Sequence, residues 1–151
     1  FSFMKKITVF ICAAALACSM SFPAFAAQTK KEYNTETAQV RQELADTSAS
    51  IKNLQKSSRT ASDAAKTVRQ GWKDSDQVRE LKDDITEVQV SYTEASGQAR
   101  LLKAQAKNDV KDGKYDEAIA KLNQCLEQKK KALSSMEQIN GIWAQIDSLL
   151  K

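Results

Sequence analysis

The chain has 151 residues, 28% of them charged, and a net charge of +4, a length that fits one domain. It contains no histidine, which excludes Ser-His-Asp triads, Cys-His pairs and the common catalytic zinc sites. Once Lys5 and Lys6 are set aside with the leader read below, the charge falls to +2, too balanced to point to a nucleic-acid partner.

Residues 1–26 carry the three-part pattern of a secretory leader. Phe1, Ser2 and Phe3 precede Met4 and read as a non-native lead. Lys5 and Lys6 form a positive start, Ile7 to Phe22 an apolar run, and Pro23 a break. Ala24, Ala26 and Ala27 supply the small residues that a signal peptidase accepts. The expectation is export by a Sec-type signal, with cleavage after Ala26 or Ala27, to the periplasm or outside the cell. A retained anchor is the weaker reading, because the run is short for a full span. Lipid anchoring at Cys18 is also weaker, since Ala15 stands where leucine is preferred. Cys12 and Cys18 leave with the leader, so Cys125 is alone and has no internal disulfide partner. It is expected either as a small, semi-buried apolar residue or as an intermolecular thiol.

Residues 27–32 read as a flexible lead, and helices follow at about 33–71, 75–112 and 115–150. In the first, Tyr33, Thr37, Val40, Leu44, Thr47, Ile51, Leu54, Ser58, Ala61, Ala65, Val68 and Trp72 recur in steps of four and three. That 3.5-residue period is the seam of a supercoiled helix. The second repeats it from Val78 through Leu81, Ile85, Val88, Tyr92, Ala95, Ala99, Leu102 and Ala106 to Val110. The third runs Tyr115, Ile119, Leu122, Leu126, Lys129, Leu133, Met136, then Ile139, Trp143, Ile146 and Leu150. Gly71 and Gly113 mark helix ends. Asp74 or Ser75 caps the second helix, with Gln77 as a capping-box partner of Asp74. Asp116 and Glu117 lie in the first turn of the third, where the helix dipole favours acids. Gly97 and Gly141 fall inside runs and signal close packing or a bend. Short connections make neighbours antiparallel. The fold expected for 33–151 is therefore all-α: an elongated up-down-up antiparallel three-helix bundle with heptad packing. Its register places Ala61 and Ala65 beside Leu81, Ile85 and Trp143.

Gly113, Tyr115, Asp116, Glu117, Ala118 and Ile119, with Leu122, Cys125 and Ala106, resemble one tetratricopeptide hairpin over residues 102–128. Leu102 stands where that repeat has an aromatic, and no second copy occurs. The resemblance implies a protein-interaction module.

No catalytic constellation emerges, and no cofactor or metal is expected. Asp109, Asp112, Asp116 and Glu117 miss the calcium-loop spacing, because Val110 and Ile119 occupy ligand positions. Arg100, Lys103, Lys107 and Lys111 share one side of the second helix, a candidate contact for anionic polymer or lipid headgroups. Lys129, Lys130 and Lys131 form a second basic cluster. Trp72 and Trp143 fall toward one end as core plugs or an aromatic docking patch. The expectation is an exported, non-enzymatic binding or scaffolding protein of the bacterial envelope or extracellular space. Its partner would be another protein, an envelope component or a second copy of itself.

Overall fold

A computed structural model describes residues 29–68 and 75–151. The leader with Cys12, Cys18, Ala24, Ala26 and Ala27, and the segment holding Gly71, Trp72 and Asp74, lie outside the described residues. The described chain is all-α, with α1 at Lys30–Glu36, α2 at Ala38–Thr67, α3 at Asp76–Lys111 and α4 at Tyr115–Leu150.

Four helices stand where three are expected. The first arm is divided at Thr37, whose backbone sits at φ −92°, ψ −1°. Its hydroxyl donates to the Tyr33 carbonyl at 2.7 Å. Such back-bonding by a buried threonine competes with the helical ladder and bends it. The arm also begins earlier than its seam suggests. The Thr29 hydroxyl accepts from the Glu32 N–H at 3.1 Å and caps α1. Thr29 to Glu32 is the S/T-x-x-E pattern of a helix start, so Lys30 to Glu32, expected in the flexible lead, are helical. At the other end α2 stops at Thr67, and Val68 is 45% exposed instead of buried.

The two long helices follow their expected bounds. Ser75 caps α3 by accepting from the Val78 N–H at 3.3 Å. Val78 therefore occupies the third helical position, and the capping box built on Asp74 and Gln77 does not describe this terminus. At its end α3 closes in a Schellman motif. Lys114 N–H reaches the Asp109 carbonyl at 2.8 Å and Gly113 N–H the Val110 carbonyl at 3.2 Å. Gly113 takes φ +75°, a conformation that a side chain makes costly by about 1–2 kcal/mol. Asp116 and Glu117 lie in the first turn of α4.

The central element is α4. It runs antiparallel to α3, as Lys121 beside Asp109 and Cys125 beside Ala99 show. It runs parallel to α2, with Lys130 3.8 Å from Glu43. The rings of Tyr33 and Tyr115 meet at 5.7 Å and plug the end near Gly113, with the Arg41 guanidinium 5.2 Å above Tyr33. The backbones of α2 and α3 stay apart; Gln55 Nε2 bridges them by donating to the Tyr92 hydroxyl at 2.7 Å.

Being flanked on two sides widens the buried face of α4. Its deepest line is Ala118, Cys125, Ala132, Ile139 and Ile146, all 3% exposed or less and spaced by seven. Of the expected seam, Leu122, Leu126, Met136, Ile139, Trp143 and Ile146 are buried, whereas Ile119 and Leu133 are only partly buried beside that line. The physical reason is the α3–α4 approach. Ala99, Ala106, Ala118 and Ala132 are at most 1% exposed, and side chains this small let two helices come close. The expected neighbourhood of Ala61, Ala65, Leu81, Ile85 and Trp143 does form one apolar cluster.

Candidate functional site

The outer side of α3 carries the densest set of candidate residues. Arg100, Lys103, Lys107 and Lys111 are all exposed, and none is ion-paired among the described residues. Their spacing along a helix gathers them on one flank, and α3 ends at Lys111, where the dipole favours cations. Lys103 sits nearest α4, since its charge reaches the Cys125 thiol.

Other basic and acidic candidates are absorbed by the fold. Lys130 is held by Glu43, Lys129 is half-buried beside Cys125, and Lys131 is exposed. The three therefore do not form one surface. Asp109, which reads as surface charge in the sequence, is 9% exposed and ion-paired with Lys121 across the turn. The pair ties α3 to α4 where the chain reverses. The separation of twelve residues hides it from any helix-face pattern. Among the described residues no group of histidine, cysteine, aspartate and glutamate could hold a metal ion. No helix there is long and apolar enough to cross a membrane.

Cys125 is 1% exposed, and its thiol donates to the Ala99 carbonyl at 3.2 Å. Burial pushes the thiol pKa up, against the opposing pull of Lys129 and Lys103. A buried thiol with a raised pKa is neither nucleophilic nor presented to a second chain. The intermolecular-thiol expectation is thus corrected, because Cys125 fills the α3–α4 interface. Alkylation of Cys125 in native protein, followed by peptide mass spectrometry, is expected to be at least about a hundredfold slower than in denaturant, since it requires local opening. Equal rates would show that the thiol is open to solvent.

Trp143, 8% exposed, floors an open groove of about 450 Å³ between α2 and α4. Thr60, Ala61 and Ala64 form one wall, with Asn140 and Asp147 on the other. The indole is mostly core, so the aromatic docking patch loses this member as an exposed group, and Trp72 lies outside the described residues.

A feature that the periodicity search passes over lies on the same outer face of α3. Val90 is 54% exposed and Leu101 52%, about three turns apart and hence on one line. Gly97 lies between them, and a Cβ built there meets nothing within 4 Å. Glycine inside a helix costs about 1 kcal/mol relative to alanine, and no packing among the described residues requires it. Gly141 has equally open surroundings, but its outward neighbours Glu137, Gln145 and Ser148 are polar and exposed. The signal in the sequence is therefore not the glycine alone but the glycine between apolar residues on a line opposite the seam. Neither a protein-family model nor a curated protein nor a solved structure matches the chain.

Proposed function

We propose that the chain is an exported, non-enzymatic helical protein that binds or scaffolds other envelope or extracellular components through the outside of its helices. The observation that carries the reading is the flank of Arg100, Lys103, Lys107 and Lys111, exposed and without ion pairs among the described residues. Where the fold needs a cation it uses others, Lys121 for Asp109 and Lys130 for Glu43. A patch of cations left over from the fold's own pairing suits an acidic partner surface and steers its approach. Export rests on the pattern from Lys5 to Ala27.

A photoreactive residue in place of Lys103, activated in cells, is expected to cross-link the chain to protein. The adduct should fade when Arg100, Lys107 and Lys111 are changed to glutamate. Absence of any protein adduct at position 103 would overturn the reading. An anionic lipid or polymer surface is the second reading, favoured by the same four cations. It requires salt-sensitive sedimentation with phosphatidylglycerol vesicles, and no binding at low salt removes it.

A further inference from the structure

We propose that the outer face of α3 is a self-association surface, on which a second copy of the chain packs antiparallel with the helices crossing near Gly97. The inference rests on the reading of this face as a docking surface, and it names the occupant.

Three observations on this face converge. Val90 and Leu101 are more than half exposed on one line, with Ala104 and Gly97 exposed beside them. Gly97 has open space where a Cβ would stand, so its absence of a side chain is explained by something that approaches from outside. The charge of the exposed face is also divided along the helix. Within residues 83–111 the exposed charges before Gly97 are the acids Asp83, Glu87 and Glu94 and those after it the bases Arg100, Lys103, Lys107 and Lys111, with Arg79, Lys82 and Asp112 lying outside that span. The Asp84 carboxyl is pushed up first by burial and then by the neighbouring Glu87 and Asp83.

A divided charge pattern of this kind selects its own partner. Parallel pairing lays acid on acid and base on base. Antiparallel pairing about Gly97 lays the acidic half of each α3 over the basic half of the other. It also lets the two backbones approach closely where Gly97 meets Gly97, and lays Val90 of each chain level with the small Ala104 of the other. Such a contact is isologous and closes at two chains. Scattered exposed apolar residues are ordinary on a monomer. The exposed apolar pair, the unforced glycine and the mirrored charges together are not accounted for by the monomer.

Gly97→Ala separates this from a structural role. Alanine raises helix propensity, and nothing among the described residues obstructs its Cβ, so the melting temperature of dilute protein rises. The same methyl group obstructs the crossing and weakens self-association. Sedimentation velocity on the full chain, from micromolar to several hundred micromolar, is expected to show a monomer–dimer equilibrium that tightens as salt is lowered. Leu101→Glu is expected to raise the dissociation constant by about tenfold or more. Gly97→Cys in a Cys125→Ala background is expected to form a disulfide between two copies under mild oxidation. A monomer at all concentrations in low salt, or a dimer indifferent to Leu101→Glu, would overturn the proposal. A strict monomer that still cross-links to another protein at position 103 overturns self-pairing and leaves the broader reading standing.

Discussion

Replacing Trp143 with alanine is expected to remove about 3–5 kcal/mol of stability. The indole is 8% exposed and packs in the cluster that joins Ile139, Ile142 and Ile146 of α4 to Ile51 and Ala65 of α2 and Val78 of α3. It is the largest side chain there, and the alanines of α2 have room for it because they are small. Nothing else in the cluster is large enough to fill the space it would leave, so the lost contacts are not recovered. One side of the ring borders the open groove, so water can enter part of the vacated space. That places the expected cost toward the lower end of the range. Against a total of about 5–15 kcal/mol for an ordinary domain, it is still a large fraction. Urea unfolding followed by far-UV circular dichroism checks it, because Trp143 is then not needed as the reporter. A midpoint shift worth under about 1 kcal/mol at unchanged slope would show that α2 does not depend on the indole to dock on α4.

The loss should not fall evenly over the molecule. Helix α2 buries Thr47 and Ser58 along with Val40, Ile51 and Ala65. Thr47 satisfies itself by donating to the Glu43 carbonyl at 2.7 Å, whereas Ser58 Oγ has no partner among the described residues. A hydroxyl taken from water without a partner weakens the contact that buries it. α3 and α4 instead share a long, alanine-lined interface and an ion pair at their turn. Trp143→Ala therefore loosens mainly the α2 side, and hydrogen exchange should quicken in α2 before it does in α3.

The sequence is legible where one local rule decides the outcome. The bounds of α3 and α4 follow from Ser75 and Gly113, because a hydroxyl cap and a left-handed glycine act within a few residues. The level of Ala65 and Trp143 follows from counting heptads back from the turns. Thr37 is different. Its place in the heptad pattern is sound, and it is 1% exposed, but its hydroxyl has a choice between neighbour and backbone that hydrophobic period does not record. The α4 seam is the instructive difference. Most of its large residues are buried as the period suggests, but Leu133 and Ile119 are only partly so, and the small Ala118, Cys125 and Ala132 lie deeper than they do. A periodicity search weights bulk, and a close helix pair is built from its absence. The candidate site shows the same asymmetry. Four cations at helical spacing are visible at once, whereas Lys121 and Asp109 find each other only when the turn is folded.

That alanine line supports the second large effect. Ala99→Leu is expected to cost about 3 kcal/mol, the upper end for overpacking. Ala99 is 0% exposed, and its carbonyl lies 3.2 Å from Cys125 Sγ on α4. The added isopropyl group has no void to enter, since Ala106 and Ala118 close the same interface at 1% and 0% exposure. Either leucine takes a poor rotamer or the helices part, and parting strips contacts from both sides of Ala99 along the hairpin. The Cys125 thiol reports on this choice. If the helices part, Cys125 loses its carbonyl partner and alkylates faster in native conditions. If leucine is strained in place, stability falls while the thiol stays protected. Gln98→Leu, at the adjacent exposed position, supplies the same added side chain without the interface and should stay within about 0.5 kcal/mol of the parent. Equal effects from the two substitutions would mean that α3 and α4 are not in close contact at Ala99. A large effect from Ala99→Leu alone places the tightest packing of the protein on residues that a hydrophobic pattern ranks last.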